Sequence, residues 1–297
     1  MGSTGRGTVC VTGAAGKVGA FTVHHLLDHG YRVVAVDNVP HPASLPAPWT
    51  HPDLAYLRTD LEDYGDTVDA LGGVDSVVHV ANVPAPGLVP PARTLNRNNL
   101  MNSNVFLAAA QLALRKVVWA SSETTLGLDF DIPPKYVPLD EDHYPYPTTT
   151  YSLSKVVAET MAGHISGWSG IPFLALRFSN VILPGAYVEF PSYWDDLAVR
   201  RFNLWSYIDV RDAALACRLA LESDVTGARS YIIANADSVM PVPSGDLMDR
   251  VFPGVPRTRP IEGFETLMTI DRARRELGFE PQHSWRDEVA SPGAQPG

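Results

Sequence analysis

A glycine-rich turn near the start of the chain is the feature that most limits the possible folds. The apolar residues 9–12 predict a buried parallel strand, and residues 18–27 predict an amphipathic helix. Gly13, Gly16 and Gly19 occupy the connection and the first helical turn. Glycine permits a tight bend and close approach of backbone N–H groups to phosphate, and a helix N-terminus attracts negative charge. The segment therefore predicts a pyrophosphate-binding turn.

The strand that follows indicates which dinucleotide this turn binds. Residues 31–36 predict a second buried strand, and Asp37 stands at its end, 24 residues after Gly13. A carboxylate there suits hydrogen bonds to both hydroxyls of an adenosine ribose and repels a 2′-phosphate. Residues 38–40 include no Arg. We therefore expect NAD rather than NADP; the alternative is a structural turn whose Asp caps the next loop.

Composition and charge narrow the classes of partner. A chain of 297 residues can bury one large core, or a core plus a small lobe. The net charge is −10 and the 23 Lys and Arg residues are dispersed, so we expect no nucleic-acid partner. No apolar run approaches a membrane span and the first residues lack a signal-peptide core, which predicts a cytoplasmic protein without membrane contact. Cys10 and Cys217 are expected to be small buried apolar residues.

Strands and helices are predicted to alternate along the first half of the chain. The further strands are residues 54–57, 74–81 and 116–120, and the further helices are residues 64–71 and 99–114. This order is typical of an α/β protein with a doubly wound parallel sheet, in which ligands bind at the carboxyl ends of the strands. Asp60, at one strand end, could meet an adenine amino group or cap the next helix. His79 is expected to be a core histidine, because no Cys or His lies at metal-ligand spacing.

The helix predicted for residues 151–164 carries the residues expected to do the chemistry. Tyr151 and Lys155 are four residues apart, so they project from one helix face, about 6 Å apart along the axis. Ionising a tyrosine near neutral pH requires roughly 4 kcal/mol of charge stabilisation. The Lys155 ammonium and an oxidised nicotinamide could supply it together. Ser122 falls at one of the strand ends; the alternative for Tyr151 and Lys155 is a solvated or half-buried pair.

The motifs described above, in the order in which they occur along the chain, resemble those of the extended short-chain dehydrogenase/reductase family. This family includes NAD-dependent epimerases and dehydratases. The resemblance covers nearly the whole chain and implies a Rossmann sheet with a small C-terminal substrate lobe. It rests on the glycine turn, Asp37, Asp60-Leu61, Asn99, Ser122, the Tyr-x-x-x-Lys pair, residues 177–181 and residues 207–212.

The family resemblance also implies a role for each matching residue. Tyr151 would pass a proton to or from a substrate hydroxyl, Lys155 would hold the nicotinamide ribose and lower the pKa of Tyr151, and Ser122 would hydrogen-bond the reacting oxygen. Asn180 would shape the substrate pocket. The cofactor contacts expected in this chain are Gly13, Gly16, Lys17, Val18, Gly19, Asp37, Asp60, Leu61, Ala81, Asn99, Tyr151 and Lys155.

The length of one segment bears on the substrate. Only 26 residues separate Asn180 from Tyr207, which is short for a lobe that encloses a nucleoside diphosphate. Within the family the chain resembles the compact uronate dehydrogenases, in which the residue matching Arg177 binds the substrate carboxylate. The resemblance departs at Glu123 and Thr124, where those enzymes carry Asn-His. Both residues could contact the substrate; alternatively, Glu123 points to water.

Residues 185–202 are rich in aromatic residues and end in Arg200-Arg201. The rings could stack on sugar carbons while the arginines bind an anion, or the segment could be a cap on the core with a solvated charge pair. We expect a cofactor domain over residues 7–180 and a mixed region over residues 181–290. The mixed region would add a late strand and helix to the core and form the substrate lobe, and residues 291–297 would be a flexible tail.

The residues and the resemblance together predict an enzyme that moves a hydride between NAD and a hydroxyl carbon of a sugar or sugar acid. Two alternatives remain open. One is a nucleotide-sugar epimerase or dehydratase that uses tightly bound NAD catalytically, and the other is a non-catalytic NAD-sensing regulator. Family analogy further implies a homodimer in which the helices that hold Asn99 and Tyr151 pair across a two-fold axis.

Overall fold

The computed structural model describes residues 6–40, 49–127 and 133–289. Its strands are β1 (Thr8–Thr12), β2 (Arg32–Asp37), β3 (Leu54–Arg58), β4 (Ser76–His79), β5 (Lys116–Ser122), β6 (Phe173–Phe178), β7 (Val181–Ile182), β8 (Ile208–Asp209) and β9 (Ala228–Ile233). Seven of them form one parallel sheet in the order β3-β2-β1-β4-β5-β6-β9. The chain builds outward from β1 in one direction and then in the other, which confirms the predicted doubly wound sheet.

Helices cover both faces of this sheet. They are α1 (Lys17–Asp28), α2 (Tyr64–Leu71), α3 (Pro91–Gln111), α4 (Thr150–Ser169), α5 (Val210–Glu222), α6 (Ser244–Val251) and α7 (Asp271–Leu277). Val9 and Val11 of β1 belong to a hydrophobic cluster with α1 and α5, whereas Cys10 belongs to a second cluster with α2, α3 and α4. Successive strand side chains point to opposite faces, so an uninterrupted apolar strand is buried on both sides.

Two helix boundaries in the structure differ from their predicted positions. α3 begins at Pro91, eight residues before the predicted start at Asn99, and α4 ends at Ser169 rather than at residue 164. The first two turns of α3 are mostly polar, so no apolar period marks them, and proline is favoured at the first helical position. α4 ends where Gly170 adopts a left-handed conformation, with φ of 75°.

Segments that follow β6 return to the same core. β9 pairs with β6, α5 packs against α1, and β7 and β8 form a short parallel ladder. Trp285 is fully buried in the hydrophobic cluster that also contains Val9. The late strand and helix thus join the sheet of the first half, while the proposed domain limits stay a prediction. The expected tail, residues 291–297, lies outside the described residues.

His79 and the two cysteines are buried in the core, as predicted. The Nδ1 of His79 lies 2.7 Å from Thr12 Oγ1 and its Nε2 lies 2.9 Å from Asn102 Oδ1, and burial lowers its pKa to about 3. Cys10 and Cys217 are both free thiols. Among the described residues, no helix has the length and apolar composition needed to cross a membrane. In the same residues, no three His, Cys, Asp or Glu side chains group as a metal site.

The turn between β1 and α1 requires glycine at two positions. Gly13 has φ of 68°, and a Cβ added there would lie 2.7 Å from the backbone N of Ala81. A Cβ added at Gly19 would lie 2.1 Å from the carbonyl O of Gly13. Both distances are far below van der Waals contact. No side chain therefore fits while α1 packs this closely against the strand ends.

We expect Gly19→Ala to destabilise the protein by at least about 1–3 kcal/mol, because the added methyl group overpacks a backbone contact that cannot move. The matched control is Gly163→Ala in α4, where an added Cβ meets nothing within 4 Å. That change should be neutral or stabilise the helix by up to about 1 kcal/mol. Urea denaturation measures both variants, and equal effects would contradict the packing argument.

Candidate active site

A large cavity lies at the carboxyl ends of the parallel strands, where doubly wound sheets bind ligands. Its volume is about 830 Å³. The sequence-predicted site residues that line it are Gly13, Gly16, Lys17, Val18, Gly19, Asp37, Asp60, Leu61, Ala81, Ser122, Glu123, Thr124, Tyr151, Lys155 and Asn180. Asn99 and Arg177 were also predicted for the site, but they do not line this cavity.

The ends of β1 and β2 form the half of the cavity that suits a dinucleotide. Gly16 precedes α1 and donates its N–H to the Gly13 carbonyl at 3.0 Å. The N–H groups of the first helical turn have no partner within the helix, so they are available to an anion. Asp37 accepts from the Ala15 N–H at 3.0 Å and from the Val39 N–H at 3.3 Å. A carboxylate has about four acceptor positions, so Asp37 retains capacity for ribose hydroxyls.

Asp60 faces the cavity and does not cap the following helix. Its Oδ1 accepts from the Glu62 N–H at 3.0 Å. The cap of α2 is Asp63, whose side chain accepts from the Asp66 N–H at 2.9 Å. The helix-cap alternative for Asp60 was therefore wrong, and its side chain is left at the edge of the cofactor half.

The residues present fit NAD. Gly13, Gly16 and Gly19 line the cavity around the N-terminus of α1, and Asp37 lines it with a carboxylate, which suits ribose hydroxyls and repels a 2′-phosphate. Arg58 lies opposite Asp37 in the ladder between β2 and β3. Its Nε donates to the Asn38 carbonyl at 3.1 Å, and it does not line the cavity.

Asn99 lies on α3 between Arg97 and Met101, which line the cavity. Its Oδ1 is buried and makes no hydrogen bond to the described residues. The preceding residue, Asn98, accepts from the Val83 N–H at 2.8 Å and donates to the Val83 carbonyl at 3.2 Å. Val83 lines the cavity, so Asn98 positions the loop after β4. A direct contact between Asn99 and the cofactor stays a prediction.

Arg177 points away from the cavity, which contradicts its predicted role. It shares a face of β6 with Phe173 and Ala175, which pack in the cluster under α3 and α4. Its guanidinium bonds Glu159 twice, at 2.9 Å from Nε to Oε1 and at 2.7 Å from Nη2 to Oε2. Strand alternation instead brings Phe178 to the cavity. Arg177 is therefore one partner of a buried structural ion pair and cannot bind a substrate carboxylate in this arrangement.

α4 presents Tyr151 and Lys155 to the cavity. Thr149 caps the helix by accepting from the Ser152 N–H at 3.1 Å, which places Tyr151 in the first turn. The Nζ of Lys155 donates to the Ala120 carbonyl at 2.6 Å and lies 5.6 Å from the centre of the Tyr151 ring. Burial lowers the pKa of Lys155 to about 7. The two side chains thus form the contact that the i, i+4 spacing predicts.

The groups of the chain do not by themselves activate Tyr151. Burial raises the pKa of its phenol to about 12, a hydrogen bond with Ser122 lowers the pKa, and the nearby Glu123 carboxylate raises it. The lowering of this pKa that the family resemblance implies is therefore not produced by Lys155 in the protein alone.

Ser122 is oriented by Thr124. The Ser122 Oγ accepts from the Thr124 N–H at 3.2 Å and from the Thr124 hydroxyl at 2.9 Å. A serine hydroxyl has two acceptor positions and one proton, so these bonds leave its proton for an acceptor on the cavity side. Thr124 therefore acts through Ser122 and also lines the cavity.

Glu123 faces the protein interior and the cavity, so the alternative that it points to water was wrong. It is only 5% exposed, and its carboxylate accepts from the Ser179 hydroxyl and from the Asn203 Nδ2, the latter at 3.3 Å. Burial raises the pKa of Glu123 to about 7, while hydrogen bonds from Ser179 and Asn203 and the charge of Arg200 lower it. Sequence reasoning missed Ser179 and Asn203, since they lie 56 and 80 residues from Glu123 and match no motif.

The aromatic segment before Arg200 packs on the core as a cap. Residues Pro184–Tyr193 form a 3₁₀ helix, in which Tyr187 and Phe190 are each 1% exposed. Its two arginines have different environments, because Arg200 is buried and Arg201 is exposed. The predicted cap is correct, whereas the predicted solvated pair is wrong for Arg200.

Comparison with known proteins places this site in a family. Residues 9–234 match the model of the NAD dependent epimerase/dehydratase family. A UDP-glucose 4-epimerase from Lacticaseibacillus casei is 29% identical over 183 residues, which cover 59% of this chain and 51% of that enzyme. Cinnamoyl-CoA reductase 1 from Petunia hybrida is 27% identical over 250 residues, which cover 77% of this chain and 72% of that enzyme. The structure of a mutated uronate dehydrogenase has a TM-score of 0.68 at 21% identity, over 98% of this chain and 88% of that one.

The parallel sheet, the glycine turn, the acid at the second strand end and the Ser, Tyr, Lys set in one cavity agree with this match. The chain belongs to the NAD-dependent epimerase/dehydratase family. This match confirms the family resemblance and the choice of NAD as cofactor. The match to the bacterial epimerase spans about half the length of that enzyme.

Glu123 should make the protein less stable as pH rises. Its pKa is about 7 in the folded protein and 4.5 ordinarily, so the folded state keeps a proton that the unfolded state releases between these values. We therefore expect Glu123→Gln to gain stability relative to the wild type as pH rises from 4.5 to 7, by roughly 3 kcal/mol in total. Urea denaturation across this range measures the difference. The control is Glu189→Gln, at an exposed position on the aromatic cap, and its stability relative to the wild type should stay constant over this range.

Proposed function

We propose that this protein is an NAD-dependent dehydrogenase that acts on a hydroxyl carbon of a sugar or sugar acid. The observation that carries the proposal is that Ser122, Tyr151 and Lys155 line the same cavity as the glycine turn and Asp37. Bound NAD would accept or return the hydride. The protein then has to hold the dinucleotide, orient the hydroxyl and move one proton, and the cavity contains a group for each task.

The half of the cavity at the ends of β1 and β2 suits binding of the dinucleotide. The N-terminus of α1 and the Lys17 side chain suit the pyrophosphate, and Asp37 suits the adenosine ribose. Asp60 and Leu61 suit the adenine end. The family resemblance assigns Asn99 to the cofactor, and its buried Oδ1, which makes no hydrogen bond within the described residues, has the capacity to accept one.

Proton transfer falls to the second half of the cavity. Ser122 donates to the substrate oxygen, and Tyr151, once it has lost its own proton, takes the proton of the hydroxyl that is oxidised. The pKa of about 12 for Tyr151 means that positive charge must stabilise the phenolate. Lys155 supplies that charge in its ionised form. Because its pKa is about 7, Lys155 also loses its proton easily near neutral pH, so it can pass a proton from Tyr151 onward.

A second candidate is an epimerase or dehydratase, in which NAD is reduced and reoxidised within one turnover. The family membership and the epimerase relative favour it. The two candidates differ in net NADH. We would incubate the protein with NAD and either free sugars or UDP-glucose, and follow NADH absorbance together with product chromatography. NADH formed in proportion to product supports the dehydrogenase, and product from a nucleotide sugar without NADH supports the epimerase.

Tyr151→Phe should lower kcat by roughly 10²–10⁴-fold, because it removes the group that moves the proton. NAD affinity, measured by calorimetry, should change by no more than a few-fold, since the ring remains. Tyr144→Phe is the matched control, because that ring is 44% exposed and lies outside the residues that line the cavity. A biological function that survives Tyr151→Phe would instead support a non-catalytic NAD-sensing regulator.

We further propose a class of substrate and a cellular location. The substrate is a small sugar-like molecule. The buried free thiols of Cys10 and Cys217 support a cytoplasmic location, where cysteines stay reduced.

α3 and α4 lie side by side and carry an apolar groove of about 360 Å³ between them. The groove includes Leu107, which is 43% exposed, and Trp168, which is 69% exposed. This groove supports the homodimer in which these two helices pair with a second copy.

Leu107→Glu should convert the dimer to a monomer at micromolar protein, because it places a charge in the apolar groove between α3 and α4. Sedimentation velocity measures the change. The matched control is Val188→Glu, at a valine that is 76% exposed on the cap, and it should leave the dimer intact. A wild-type protein that sediments as a monomer at this concentration would refute the dimer.

A further inference from the structure

The substrate end of the cavity contains a carboxylate that the proposed proton transfer does not use. Glu123 directly follows Ser122, and both residues line the cavity together with Tyr151. The Glu123 carboxylate also acts electrostatically on the Tyr151 phenol. A substrate oxygen held by Ser122 and Tyr151 is therefore close to Glu123.

The surroundings of Glu123 hold it firmly but leave it able to accept a further hydrogen bond. Its carboxylate accepts from the Ser179 hydroxyl, from the Asn203 Nδ2 at 3.3 Å, and from the backbone N–H of Asn180. A carboxylate has about four acceptor positions, and these contacts use three. One position remains for a hydroxyl donor in the cavity.

Arg200 balances the charge of Glu123 from behind the cavity wall. Its Nη2 donates to the Ser206 carbonyl at 3.3 Å, and with the Asn180 amide turned so that its oxygen faces Arg200, Nη1 and Nη2 each donate to that oxygen at 3.0 Å. The residues that line the cavity here are Asn180 and Phe202, not Arg200. Arg200 is therefore a positioning residue for Glu123 and Asn180, and it does not present its charge to a ligand.

Each cation that lines the described part of the cavity already donates to another group of the protein. They are Lys17, Arg97 and Lys155. Their partners are the Val181 carbonyl for Lys17, the Glu62 carboxylate for Arg97 and the Ala120 carbonyl for Lys155. Arg177 faces the opposite side of the sheet. An anionic group on the substrate beside Ser122 would consequently meet the Glu123 carboxylate.

We propose that Glu123 is a specificity-determining residue, which accepts a hydrogen bond from a hydroxyl of an uncharged substrate and repels a carboxylate or phosphate at that position. The proposal rests on the proposed dehydrogenase function and narrows its substrate class from sugars and sugar acids to uncharged polyhydroxy compounds. A purely structural role for Glu123 predicts altered folding without altered substrate preference.

The test compares two matched probes, D-galactose and D-galacturonate, with NAD as oxidant. At about pH 9, where Glu123 is ionised, we expect wild-type kcat/KM for galactose to exceed that for galacturonate by at least about tenfold, and Glu123→Gln to reduce this ratio by at least about tenfold, because the amide keeps the shape without the charge. Glu141→Gln is the matched control, since Glu141 is also buried but lies outside the cavity, and it should leave the ratio unchanged. An unchanged ratio in Glu123→Gln overturns the proposal.

The pH dependence of the preference for galactose over galacturonate distinguishes the proposed role of Glu123 from a purely structural one, because a structural role would leave this dependence unchanged. Wild-type preference for galactose should increase as pH rises through about 7, because Glu123 ionises there. Arg200 and Tyr151, which act with Glu123, keep their protons in this range. Lys155, which lines the same cavity, also has a pKa of about 7, but it is present in both proteins. The increase should therefore be clearly smaller in Glu123→Gln than in the wild type. An equal increase in both proteins would contradict the assignment.

Binding distinguishes failure of this proposal from failure of the proposed function. Calorimetry on the NADH-loaded protein should show that galactose binds more tightly than galacturonate, and that Glu123→Gln gains affinity for galacturonate. If the binding preference holds but neither sugar reduces NAD, the dehydrogenase proposal fails while Glu123 keeps its role. If galacturonate is oxidised as efficiently as galactose, the dehydrogenase stands and the role of Glu123 is overturned. Binding of neither sugar by either protein also overturns it.

Discussion

The close approach of α1 to the end of β1 is the constraint on which the rest of the structure depends. It brings the Gly13 carbonyl and Gly19 together at a distance that admits no side chain, and it aims the N-terminus of α1 into the cavity. The same arrangement sets Asp37 beside Ala15 at the end of the next strand. Because the strands are parallel and doubly wound, β5 ends at the same edge, where it delivers Ser122.

Burial determines the chemistry at the other end of the cavity. Tyr151, Lys155 and Glu123 have little contact with water, so each carries a pKa far from its ordinary value. Burial raises the pKa of the phenol and the carboxyl and lowers that of the amine, so the chain's own groups favour the neutral forms. Charge brought into the site by a ligand therefore acts strongly there, because water is scarce and screening is weak.

Arg177 shows how a motif can be recognised correctly and the role of its residue assigned wrongly. It occurs in a segment that resembles the family, yet strand alternation turns it toward Glu159 and away from the cavity. On α3, the side chain that holds the loop at Val83 is Asn98, the neighbour of the residue that the motif indicates. Position along a motif identifies the segment, whereas the register of the strand or helix decides which side chain reaches the ligand.

The sequence by itself determined the alternation of strands and helices in the first half of the chain, the glycine turn, the acid at Asp37 and the pairing of Tyr151 with Lys155. These features depend on periodicity and on short spacings, which are visible along the chain. Only the tertiary structure decided that Glu123 is buried against Ser179, Asn203 and Arg200, and that the start of α3 at Pro91 is helical. Contacts between residues far apart in sequence leave no local pattern, because packing brings them together only after the sheet has formed.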